Sequence, residues 1–174
     1  QPTLVLVMYR WDDYLINDWG IDAQTDNLLL PVLPDMESPG RFLLDYRRLS
    51  HLPLSLFADH PIGEPLTGQR MLWTYLCPVK PANYVPAGVE ITPLLTVPGQ
   101  WSKSMWVTNR GRAMIEEALY APQTTTFSPD FVSHEEPLTS DGVSVALAAT
   151  RSKGSRTGRL VVLGVGKGLI DRHL

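Results

Sequence analysis

Eight of the fifteen prolines in this chain fall between residues 53 and 98: Pro53, Pro61, Pro65, Pro78, Pro81, Pro86, Pro93 and Pro98. Each removes a backbone donor and fixes φ, so no long helix or uninterrupted central strand can cross this stretch. Strands expected at 71–76 and 89–96 must be short, or must set each proline where its missing donor is harmless.

Regular elements are clearer outside that stretch. Residues 4–8 form a continuous apolar run, as expected of a strand buried on both faces. Asp12 and Asp13 then lead Tyr14, Leu15, Ile16 and Trp19 into Gly20, a short helix with acid at its front and a glycine stop. A strand is expected within 21–32, broken by Pro31 and Pro34, while 43–49 reads equally as helix or strand. Residues 112–120 have helical composition, with Pro122 as the stop, and 124–139 reads as loop. Asp141-Gly142 is a turn pair, 143–149 alternates as a strand, and 151–158 is a polar connection. A second strand at 160–165 follows, then a glycine-rich turn and the start of a helix at Leu169. Strands mixed with modest helices predict an α/β domain.

A chain of 174 residues is long enough to bury one sizeable core. Its 44% hydrophobic and 19% charged content is that of a globular domain. The net charge of -3 provides no broad basic field, which argues against nonspecific nucleic-acid binding. Cys77 is alone, so there is neither a disulfide framework nor a cysteine-rich zinc site. No apolar run reaches the roughly 18 to 20 residues that span a bilayer, and no secretory signal opens the sequence. Both ends fall in apolar segments, so the chain is expected to be a fragment of a longer, membrane-tethered protein. Such a fragment should pair with itself as a homodimer, or leave an apolar patch near 4–8 or 160–165.

Three segments, taken in order, carry a resemblance: Phe57-Ala-Asp-His-Pro-Ile-Gly-Glu-Pro-Leu66, Ile91-Thr-Pro-Leu-Leu-Thr-Val-Pro-Gly-Gln-Trp101 and Gly158-Arg-Leu-Val-Val-Leu-Gly164. The sequence resembles the extracytoplasmic domain of ABC-transporter auxiliary proteins, the group that includes the gliding-motility transport components. The resemblance implies a binding or assembly module on the periplasmic or cell-surface side, anchored at the inner membrane, with a transporter permease or another envelope protein as partner. It also implies a layered, largely parallel sheet, flavodoxin-like or class I glutamine amidotransferase-like. Relatives commonly carry an acidic residue and a serine after the last glycine of the third segment, where this chain has Val165 and Gly166.

Each candidate site in the sequence also has a plainer role open to it. Gly164-Val-Gly-Lys-Gly168 follows a strand and could cradle phosphate, but its spacing fits neither the dinucleotide fingerprint nor the P-loop. A tight strand-to-helix turn is the favoured reading. His60 has only Asp59 and Glu64 beside it, too few for a metal pattern, so it reads as a turn histidine bonded to nearby backbone. Cys77 precedes Pro78 without the glycines of a nucleophile elbow and reads as an inert buried thiol. Trp101 and Trp106, with Trp73, could line a binding surface or fill the core. Arg151, Lys153, Arg156 and Arg159 put four cations in nine residues, a solvated loop or a contact for an anionic headgroup or an acidic partner.

The sequence therefore predicts a single α/β domain over 1–174, non-catalytic, with no cofactor and no metal. Its binding surface is expected at Trp101, Trp106, Arg151, Lys153 and Arg156. The alternatives are an amidotransferase-like hydrolase using Cys77 or a serine, and a sugar-binding module using Trp101 and Trp106.

Overall fold

The computed structural model describes residues 3–7, 12–24, 27–34, 36–37, 39, 42–44, 52–54, 60–66, 71–73, 76–99, 105–108, 135–137 and 141–164. For 3–7, 12, 28, 30, 32, 42–44, 52–54, 66, 71–73, 105–108 and 135–137 it defines the backbone alone. The strands are β1 (Thr3–Val7), β2 (Ile21–Ala23), β3 (Leu28–Pro34), β4 (Phe42–Leu44), β5 (Leu52–Leu54), β6 (Met71–Trp73), β7 (Val79–Pro81), β8 (Val89–Val97), β9 (Met105–Thr108), β10 (Glu135–Pro137), β11 (Val143–Lys153) and β12 (Arg156–Leu163). A short helix, α1 (Asp12–Tyr14), runs on into a π-helical turn over Leu15–Trp19.

The central sheet has the order β1-β12-β11-β8. A second sheet runs β10-β9-β3-β4, and β2-β7 and β5-β6 form two-stranded pairs. Among the described residues only β1 and β12 pair in parallel, and every other pairing is antiparallel. The expected layered, largely parallel α/β fold, flavodoxin-like or amidotransferase-like, is therefore incorrect: antiparallel β structure dominates. The apolar runs that suggested it are real, because β12 is buried along 160–162. What covers them is different. Among the described residues, two hydrophobic clusters rather than two layers of helices lie on opposite faces of the central sheet.

Register shows how. Leu147, Ala149, Leu160 and Val162 are cross-strand neighbours on one face. They pack with Leu15, Trp19, Ile21, Ala23 and Val79 from the helical turn and the β2-β7 pair. Ala146, Ala148 and Val161 point to the other face and pack with Leu29, Leu76, Leu94, Leu95, Val97 and Val145. The second cluster takes consecutive residues from one strand twice, Leu94-Leu95 and Val145-Ala146, which strict alternation forbids. The ladder solves this with two irregularities: register passes from Ser144↔Thr96 to Ala146↔Leu95 to Leu147↔Pro93. Val145 and then Leu94 are each left without a partner in the ladder and turned into the core. The two offsets lie on opposite strands and cancel. Pro93 sits at the second of them, a place that tolerates its missing donor.

The other prolines follow the same logic. β5, β7 and β10 are three residues each and contain Pro53, Pro81 and Pro137. Pro31 and Pro34 do not break β3, contrary to expectation. The strand pairs β9 through Leu28 to Pro31 and then β4 through Val32 to Pro34, so it changes partner just after the first proline. Residues 135–137, expected as loop, form β10. Residues 151–158, expected as a connection, continue β11 and begin β12 around a two-residue Gly154-Ser155 turn. The helix expected at 112–120 and the one beginning at Leu169 lie outside the described residues.

Gly20 ends the helical turn as the sequence suggests. Its φ of 64° is left-handed, and its N–H reaches the carbonyls of Leu15 and Ile16. The apolar patch expected near 160–165 does not exist at 160–162, where the chain's own two clusters cover Leu160, Val161 and Val162.

Candidate functional site

Two regions gather the chemistry-bearing residues. The first is a seam at 76–79, buried throughout. The Leu76 carbonyl accepts from Leu29 N–H of β3 at 2.9 Å, and Cys77 N–H donates to the Gly164 carbonyl at 2.9 Å. The Pro78 carbonyl accepts from Gln24 N–H at 2.9 Å, and Val79 opens β7 opposite Ala23. Four consecutive residues thereby join the second sheet, the end of β12 and the β2-β7 pair.

Gly164 closes this seam from the other side, donating to the Val145 carbonyl at 2.7 Å. A Cβ at Gly164 would collide with the Cys77 carbonyl and lie 3.2 Å from the Val145 carbonyl. The first glycine of the suspected phosphate motif is thus required by backbone packed against backbone, which accounts for it without a ligand. Residues 165–168 lie outside the described residues. Cys77 itself is 2% exposed. A thiol so placed is a small apolar core group, shut off from a substrate in solvent.

His60 opens a turn whose Gly63 and Glu64 N–H groups donate to its carbonyl at 2.8 and 2.9 Å. Its Nδ1 accepts from Ile62 N–H at 3.1 Å. The ring is engaged as a local cap, as a turn histidine should be. Among the described residues no group of three or more His, Cys, Asp or Glu side chains could hold a metal ion.

The second region is the far end of the β11-β12 hairpin. Arg151, Lys153 and Arg156 share one face of the ribbon, since Arg151 faces Gly158 and Lys153 faces Arg156 across the ladder. They do not act alike. Arg151 Nη1 donates to Asp18 Oδ1 at 3.3 Å, and the two side chains are 35% and 46% exposed. Beside them the Trp19 ring covers Gly158, lying 3.4 Å from where a Cβ would stand. Trp19 Nε1 in turn donates to Tyr14 Oη at 3.2 Å. Arg151 is thus a strut between the π-helical turn and the hairpin. Lys153, Arg156 and Arg159 are exposed and make no ion pair among the described residues.

Of the expected binding surface, only the hairpin cations Arg151, Lys153 and Arg156 have described side chains. Trp101 lies outside the described residues, and Trp106 is in β9, opposite Leu30 and Pro137 in the second sheet. Trp73 is in β6, opposite Leu52. Sequence reasoning missed Asp18 and Trp19, which lie more than a hundred residues from the hairpin they brace and carry no local signal of it. The Lys153-Gly-Ser-Arg156 hairpin did carry one, because Gly-Ser between two strand runs is a two-residue turn signal.

No family model, no curated protein and no solved structure matches this chain.

Proposed function

We propose that this chain is a non-catalytic binding or assembly domain serving an extracytoplasmic auxiliary subunit of an ABC-type transport system. The observation that carries the non-catalytic reading is the state of Cys77, buried at 2% exposure in a seam whose backbone groups are spent joining sheets. The hydrolase alternative needs a nucleophile and a base meeting in an open pocket. Its leading residue is turned inward, and His60 is occupied by its own turn.

The transport setting is supported by the order of the three resembling segments. Two of them, Pro93-Leu-Leu-Thr96 in β8 and Gly158 to Leu163 in β12, flank β11 in the central sheet. Because the parallel fold which that resemblance implied is not the fold present, the setting rests on the segments alone. The partners it names are the transporter permease or another envelope protein.

The test has two parts. Genes for an ATPase and a multi-span permease adjacent to this one are expected, and a neighbourhood without either removes the setting. In the parent protein, Cys77→Ala and Cys77→Ser are expected to leave every functional readout unchanged while the fold survives. Loss of a turnover activity in well-folded Cys77→Ser protein would restore the hydrolase alternative.

A further inference from the structure

The β11-β12 hairpin runs beyond both of its sheet neighbours. β8 reaches only Val89, opposite Arg151, and the Ser152 N–H ties the root of the ribbon to the Gly88 carbonyl at 2.9 Å. On the other side the first paired residue of β1 is Thr3, opposite Arg159. What projects is Lys153-Gly-Ser-Arg-Thr-Gly158, every residue of it exposed, with Ser152 and Arg159 at its root.

At the end of this ribbon Lys153 and Arg156 stand directly opposite each other. Like charges in such a cross-strand pair repel and destabilise the hairpin. Among the described residues no acid pairs with them. Asp18 is taken by Arg151. Glu90 sits opposite Thr150, nearer the body of the sheet and on the other face of the ribbon. That other face carries Arg159, also opposite Thr150, at the root of the projecting segment. The chain as a whole is acidic, with a net charge of -3, which makes this end a local exception.

We propose that the tip of the β11-β12 hairpin docks end-on against an anionic lipid surface, with Lys153 and Arg156 as the contacting cations and Arg159 in support. The chemistry of the tip selects this occupant. Residues 152–159 contain no apolar or aromatic side chain, so nothing there stacks a nucleobase or seats the side chains of a bound peptide. A plane of anionic headgroups needs neither, and it meets both faces of a ribbon presented tip-first. Each Lys or Arg held near such a surface strengthens partitioning roughly fivefold. Three cations make a reversible contact that orients the domain. They do not make an anchor. This inference names a partner for the binding domain proposed above, yet lipid contact requires no permease, so the two can fail separately.

The experiment is co-sedimentation of the full chain with phosphatidylcholine vesicles prepared with and without phosphatidylglycerol. Binding is expected only to vesicles containing phosphatidylglycerol, and it should vanish toward 1 M salt, where screening acts over about 3 Å. The double change Lys153→Gln with Arg156→Gln should weaken it about 25-fold. The same change should leave the melting temperature equal or higher, because it removes a repulsive pair. Lys80→Gln, which removes a β7 cation paired with Asp22 of β2, is the control for charge lost away from the tip and should bind nearly as the parent does. Equal binding to both vesicles overturns the proposal, and so does a tip variant that binds like the parent. Retention by polyglutamate without binding to vesicles also overturns it, in favour of an acidic protein partner.

Discussion

Two glycines separate two ways in which a single residue can be indispensable. Gly20 has left-handed φ, and its Cβ would lie 2.7 Å from Val85 Cα and 2.8 Å from Pro86 Cδ. Gly164 has no such torsion, but backbone atoms of Cys77 and Val145 occupy the space a side chain would need. Gly20→Ala is expected to cost about 2–4 kcal/mol, combining left-handed strain with crowding. Gly164→Ala should cost at least about 3 kcal/mol, since relieving the collision parts Cys77 N–H from its acceptor. Denaturant midpoints of the two variants would check this, and a Gly164→Ala protein as stable as its parent would show that the seam is not closed. At the neighbouring Cys77, a thiol reagent should react only as fast as the protein opens and should react at once in denaturant. Burial of Cys77 and the role of His60 were legible because each depends on local chemistry. The necessity of Gly164 was legible only as a glycine-rich turn, since residues 77 and 145, far away in sequence, make it necessary.

Between elements, the π-helical turn meets the central hairpin through a charged contact and an apolar one of very different weight. The Asp18–Arg151 pair is part-exposed, and solvent screening holds such a pair to under about 1 kcal/mol. Trp19 is 9% exposed, covers Gly158 and belongs to the core cluster with Leu15 and Leu160. Trp19→Ala should therefore cost about 3–5 kcal/mol, and Arg151→Ala less than about 1 kcal/mol. Thermal or denaturant unfolding of the two variants reads the difference directly. A dominant loss at Arg151 would mean that the ion pair, rather than the ring, fixes the turn. The sequence revealed the turn itself, through its acidic start and its glycine stop, but not what the turn packs on. It concealed the outer half of the hairpin for a plain physical reason. Residues 152–159 are exposed and include no apolar side chain, so no alternation marks a strand there.

At the scale of the whole molecule, the error of fold class and the organisation of the core have one cause. A strand buried on both faces is the mark of a parallel sheet between helices, and the run along β12 has that mark. Here the two covering layers are different: on one side the helical turn with the β2-β7 pair, on the other residues of β3, of the 76–79 seam and of the bulged ends of β8 and β11. Burial tells the sequence reader that a face is covered, not what covers it. The arrangement makes a strong claim about cooperativity, because β11 and β12 contribute side chains to both clusters and the seam ties Leu76 on one side to Val79 on the other. Neither core can open without disturbing the sheet they share. Leu95→Ala on one face and Leu15→Ala on the other, both at fully buried positions, should each cost about 2–5 kcal/mol. Each should lower the midpoint of the same single transition, whether it is followed by tryptophan fluorescence or by far-ultraviolet circular dichroism. With the sheet between them the two side chains share no cavity, so the double variant should lose close to the sum of the single losses, within about 0.5 kcal/mol. If Leu95→Ala instead produced an early transition that left the fluorescence of the Trp19 side unchanged, the two clusters would be separate folding units. The central sheet would then be only a boundary between them.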